Sequence, residues 1–117
     1  MVKFYLNKDL FSEDYRETGI NRSAFWAVRH RKETGNKLLD FDEAITDTEI
    51  PEIVDTLIRM NEKRFTISSR FSGLIDTLKG FEKYGAYIVS LTEINSIHKD
   101  FKTGERKKTS AILMEIR

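Results

Sequence analysis

Between Arg64 and Ile94 the spacing of apolar residues changes twice. Phe65 and Ile67 alternate, as on one face of a short strand. Phe71, Leu74, Ile75, Leu78 and Phe81 then fall on one helical stripe, and Ala86–Leu91 resumes an apolar, β-branched run. Ser69 is placed to cap the helix start, and Gly85 follows Lys83 and Tyr84 where a left-handed residue would end the helix. The segment predicts strand, helix, strand, with the two strands parallel and joined by a right-handed crossover. The architecture rests on the Phe71 stripe lying across a sheet that contains Phe65, Ile67 and Val89.

Earlier in the chain, Asn21 predicts a helix cap, with Ile20 and Phe25 spaced as a hydrophobic staple and the helix running through Trp26 and Val28 to Gly35. A second helix is expected from a cap at Asp47 or Thr48. Pro51 sits in its first turn, the apolar stripe is Ile50, Ile53, Val54, Leu57 and Ile58, and the end falls near Asn61. Met1–Leu6 alternates weakly, as an edge strand would, and 7–19 reads as a surface loop.

After the central unit, Lys102-Thr103-Gly104-Glu105 has hairpin-turn chemistry, and Ser110–Ile116 alternates with Ile112, Met114 and Ile116 on one face. A turn centred on Thr103-Gly104 sets Leu91 against Ile116 and Phe101 against Arg106; a bulge at Gly104 would shift these pairs. The whole predicts a single α+β domain over residues 1–117. Its small mixed sheet, a β-α-β unit plus a C-terminal antiparallel hairpin, carries two preceding helices packed on it. Ser110–Ile116 is expected as an unpaired edge to which another chain could add a strand.

A chain of 117 residues suffices for one modest core, and 33% charged with 11% aromatic residues marks a folded, water-soluble protein. The absence of cysteine excludes disulfides, thiolate metal sites and a cysteine nucleophile. Met1–Asp9 has no apolar leader pattern and no apolar run suits a membrane span, so a cytoplasmic location is expected. Net charge is +1, but residues 1–60 hold 9 Lys/Arg against 12 Asp/Glu and residues 61–117 hold 11 against 7. Neutralisation between neighbouring elements accounts for such a split as well as steering of a partner does.

The candidate chemistry is sparse. Ser69, Arg70, Ser72 and Gly73 form a hydroxyl-rich strand-to-helix turn that could hold a phosphate or other anion, although helix capping explains the same residues. The hairpin arm carries Lys99, Lys102, Arg106, Lys107 and Lys108, with Phe101 at its end. Such a ribbon could enter a nucleic-acid groove, but exposed hairpins also carry lysine for solubility and to deter edge pairing.

The acidic run Asp40–Asp55 lacks the EF-hand pattern, with Ile45 and Pro51 where Gly and Glu would be needed, so no metal is expected there. His30 and His98 lie in basic surroundings with no nucleophile spaced to them, and neither catalysis nor a cofactor is expected. Trp26 with Phe25 reads as core more readily than as a partner-binding anchor.

Two stretches, GNKLLDFDEAI with EIPEIVDTL and FTISSRFSGLIDTLKGFEKYG with LTEIN, span roughly residues 35–95. They resemble an uncharacterised family of small proteins encoded on conjugative and other mobile elements of Gram-positive gut bacteria. The resemblance implies a bacterial cytoplasmic accessory protein acting on DNA-associated machinery, and it assigns no catalytic residues. The sequence reading is therefore a binding module, with a protein partner or self-association ahead of nucleic acid and an anion-binding enzyme at the Ser68–Gly73 turn third.

Overall fold

The computed structural model describes residues 20–117, so the strand expected at Met1–Leu6 and the loop over 7–19 lie outside the described residues. Helix α1 spans Arg22–Thr34. The Asn21 side chain accepts the Ala24 N–H at 3.1 Å, and Gly35, at φ 73°, ends the helix by donating its N–H to Arg31 at 2.9 Å. Ile20 and Phe25 are both buried, as a staple requires, whereas Trp26 is partly exposed and rests beside His30.

Strand β1 (Leu39–Phe41) has no counterpart in the sequence reading, which placed Asp40 at the head of an acidic run. Three residues are too few to display a period. Leu39 and Phe41 turn inward while Asp40 between them turns to the opposite face. Strand β2 (Arg64–Ile67) lies parallel to β1, with Leu39 opposite Phe65 and Phe41 opposite Ile67.

Between them runs helix α2 (Ile50–Arg59), which buries Ile50, Ile53, Val54 and Leu57 and leaves Ile58 exposed. Its cap is neither Asp47 nor Thr48 but the backbone of Glu49, which makes no side-chain cap bond. The Glu49 carboxylate instead accepts from Ser23 at 2.7 Å and from the Thr46 N–H at 3.1 Å, tying the β1–α2 loop to α1.

Helix α3 spans Leu74–Lys83, four residues later than a Ser69 cap would place it, with Gly73 at the cap position. Arg70 explains the delay. Its guanidinium donates to Ser68 O at 2.7 Å and to Ser110 O at 2.8 Å, which holds the turn against the neighbouring strand and out of a helical path. Ser69 caps only this turn, its hydroxyl accepting the Phe71 N–H at 3.3 Å.

The expected stripe is accordingly too wide. Leu74, Leu78 and Phe81 pack toward the core, while Phe71 is 56% and Ile75 73% exposed. Gly85, at φ 90°, makes the tight exit into strand β3 (Ala86–Lys99), and β4 (Arg106–Ile116) returns from it.

The sheet order is β1-β2-β4-β3. Because β4 pairs antiparallel with both β2 and β3, those two strands are parallel to each other, as the crossover reading expected, but with β4 between them. Residues Ser110–Ile116 are therefore interior, and β1 and β3 are the edges among the described residues. The hairpin register differs as well. Leu91 faces Ile112 and Lys99 faces Arg106, and the pairing slips between Ile88 and Ser90 and again between Asn95 and Lys99.

One buried cluster joins Ala24, Ala27 and Val28 of α1, the α2 stripe and Phe81 of α3 to the inward residues of all four strands. Phe65 lies at its centre, 5.6 Å edge-on from Phe41 and 5.3 Å from Phe81. Val89, expected in this layer, sits at the first slip and is 41% exposed.

Helices α2 and α3 approach closely at Gly80, where an added Cβ would lie 2.4 Å from Ile50 Cδ1, a side chain that is itself fully buried. Gly80→Ala is expected to destabilise the fold by about 1–2 kcal/mol, because overpacking outweighs the gain in helix propensity. Removing that methyl with Ile50→Val in the same chain should recover most of the loss. Chemical denaturation of the two single variants and the double variant checks this, and strictly additive losses would refute a contact at Gly80.

Candidate functional site

Asp40 is the central residue of β1, on the face opposite Leu39 and Phe41, where it meets Thr66 of β2 and Ser68 just beyond that strand. Its carboxylate accepts the Thr66 hydroxyl at 2.7 Å and the Ser68 hydroxyl at 2.5 Å. Burial raises the Asp40 pKa, and the two hydroxyl bonds offset only part of that. Next to it, Asp42 lies 3.7 Å from Nδ1 of His30 on α1, an ion pair at longer than hydrogen-bond distance. Asp42 holds His30 above its ordinary value against the opposing effect of burial, and His30 in turn holds Asp42 low. Both Asp40 oxygens accept hydroxyls and Asp42 pairs with His30, so the group fastens β1 to α1 and to the end of β2.

The turn after β2 does border a hollow of about 310 Å3 at the C-terminal ends of the two parallel strands, the usual position for a ligand crevice in such folds. Of the residues proposed for an anion, Ser69 and Gly73 line it, while Arg70 is turned away to β4 and Ser72 is exposed. Glu43, Asp47 and Asp76 border the same hollow and no basic residue among the described ones does, an electrostatic setting that repels phosphate.

The basic hairpin separates into two groups. Arg106 is structural: it donates to Ile97 O at 2.5 Å and to Glu33 O at the end of α1 at 3.0 Å. Lys108 donates to the Asn95 side chain. Asn95 also exchanges bonds with Asn36 at 3.0 and 2.8 Å, so the middle of the hairpin is clamped to the segment between α1 and β1. Lys99, Lys102 and Lys107 are exposed around a fully exposed Phe101.

A surface that sequence reasoning assigned to the wrong strand lies along β3. From Tyr87 to Leu91 five consecutive residues are exposed, Ile88 by 54% and Leu91 by 79%. Ile88 and Leu91 oppose the inward residues Met114 and Ile112, so both stand on the helix side of the sheet, beyond the cover that α3 provides. The exposed Phe71 and Ile75 belong to the N-terminal end of that same helix layer. No strand among the described residues pairs with the outer side of β3. From Tyr84 to Thr92 there is neither a charge nor a proline, the devices that ordinarily protect an edge.

No helix among the described residues is long and apolar enough to cross a membrane, and no group of His, Cys, Asp and Glu among them is arranged to hold a metal ion. Residues 23–116 match a family model described as a domain of unknown function (DUF7698). No curated protein and no solved structure matches the chain.

The His30–Asp42 pair fixes a pH window. His30, raised, contributes its full stabilisation below its unfolded value near 6.5 and loses it as pH rises through the higher folded value. Asp42, lowered, contributes above its unfolded value near 3.8 and loses it as pH falls through the folded one. Asp42→Asn should therefore cost most between roughly pH 4 and 6.5, by up to about 1 kcal/mol for so open a pair, with the difference shrinking above. Thermal unfolding of both proteins across pH measures it, and a gap that does not vary with pH would refute the pair.

Proposed function

We propose that this chain, which belongs to the DUF7698 family, is a non-enzymatic binding module that engages a partner protein along the free edge of β3. What carries the reading is the uncharged, exposed run Tyr87–Leu91 on that strand. Outward backbone groups there offer a ladder to an extended segment, and Ile88, Leu91, Phe71 and Ile75 offer apolar contact on one side of it. The resemblance of residues 35–95 to small proteins of mobile elements supports placing the module among the accessory proteins of such an element, in the bacterial cytoplasm.

A second reading is nucleic-acid binding through the hairpin tip, favoured by the exposed Phe101 among Lys99, Lys102 and Lys107. With Arg106 and Lys108 bonded within the fold, about three cations remain. Log affinity should then fall against log salt with a slope no steeper than about 3. The acid-bordered hollow by Ser69 gives the anion-binding reading the least support.

Capture from the native host with and without nuclease separates the two binding readings. In the first, a protein is retained after nuclease treatment, and Ile88→Lys with Leu91→Lys loses it while Lys102→Glu with Lys107→Glu does not. The reverse pattern overturns the protein-binding reading in favour of nucleic acid. Retention by both variants removes both.

A further inference from the structure

Phe101 stands at the end of the β3–β4 hairpin and is fully exposed, so both faces of its ring are open. The turn that carries it is closed from within. Asp100 N–H donates to Glu105 O at 2.8 Å, and Gly104 N–H, at φ 74°, donates to Asp100 O at 2.9 Å. One Asp100 carboxylate oxygen accepts the Lys102 and Thr103 N–H groups at 2.7 and 3.1 Å. A phenylalanine has two rotatable bonds, and on so fixed a backbone it loses little freedom when a flat partner covers it.

The charge around the ring narrows the class of that partner. Residues 99–108 hold five bases and two acids, a net +3. Arg106 and Lys108 have spent hydrogen bonds on uncharged oxygens but keep their charge, so they add field without adding contacts. An open aromatic face beside cations suits a nucleobase that carries its phosphates.

A duplex is the poorer match. Asn36 holds Asn95, and Arg106 ties the hairpin to Glu33, so only the last few residues of each strand project from the domain. A groove lies between two rows of phosphates, and an arm entering it would lead with the Asp100 and Glu105 charges. A single strand has one row, and an unpaired base reaches Phe101 without the arm entering a groove.

We propose that the hairpin tip binds single-stranded nucleic acid, with one unpaired base stacked on Phe101 and the adjoining phosphates held by Lys99 and Lys102. This rests on the nucleic-acid reading of the hairpin and narrows it. Stacking and phosphate contact are indifferent to the sugar, so a DNA or an RNA strand meets the same chemistry.

Fluorescence anisotropy of the full chain with labelled oligo(dT), oligo(U) and duplex DNA, at ~50 mM salt, tests it. The single strands are expected to bind about tenfold tighter than the duplex. Phe101→Ala should weaken them about tenfold, the loss of one stacked base, and leave the duplex unchanged, while Phe101→Trp retains binding. Log affinity for a strand should fall against log salt with a slope of about 2 or less. Because Phe101 is fully exposed, both variants should keep the wild-type circular-dichroism spectrum.

Strand binding that survives Phe101→Ala overturns the inference, as does a duplex bound as tightly as the strands, and the nucleic-acid reading then stands without it. No binding to any of the three overturns both. If that chain instead binds vesicles of anionic lipid, and Phe101→Ala releases it, the tip belongs to a lipid surface. A preference for oligo(dT) or oligo(U) identifies the source of the strand and leaves the inference in place.

Discussion

The pairing of β4 with two neighbours at once governs the rest of this fold. Its Ile112 and Met114 face Ile67 and Phe65 on one side and Leu91 and Ile88 on the other, and Ile116 faces Ala86. That single placement makes β2 and β3 parallel. It brings the inward residues of the hairpin onto the aromatic centre at Phe65, and it pushes β3 out to the margin. A hairpin added to the side of a β-α-β unit would have had the opposite effect, with β3 covered and β4 open. The same residues in the same elements thus present different surfaces depending on one choice of neighbour, and that choice is made by long-range packing.

The elements themselves were mostly legible because their signals are local. Asn21 and Gly35 bracket α1 by satisfying terminal backbone groups within three or four residues, and Gly85 is needed where the chain turns at a positive φ. Strand β1 was not legible because Leu39, Asp40 and Phe41 show a period only against a partner. The start of α3 was misread for a related reason. Ser69 is a competent cap, but Arg70 reaches a carbonyl forty residues away in sequence and holds the turn open. A stripe drawn from Phe71 through Ile75 then counts exposed residues as core.

Much the same division runs through the surfaces. Lysines and arginines at 99–108 can be counted from sequence, but which of them are free depends on where the hairpin bends. Arg106 is spent on the end of α1 and Lys108 on Asn95, so the cationic surface is about half of what the count implies. Conversely, the run Tyr84–Thr92 reads as an ordinary core strand until the sheet order leaves one of its sides without a strand neighbour among the described residues. The Asp40 cluster was invisible for want of β1. Its partners, Thr66 and Ser68, lie more than twenty-five residues away, and only strand pairing brings the hydroxyls to the carboxylate.

The interior position of β4 also bears on how the protein comes into being at the ribosome. Strand β2 and the start of β3 can touch each other only through residues 106–116, which are synthesised after every other element described here. Until those residues emerge, Phe65 and Ile67 have one strand neighbour instead of two, and the nascent sheet presents a gap as wide as one strand. Closure is then a late, non-local event, the kind that folds slowly and leaves apolar surface open for longer, so this chain has an interval in which a chaperone has something to hold.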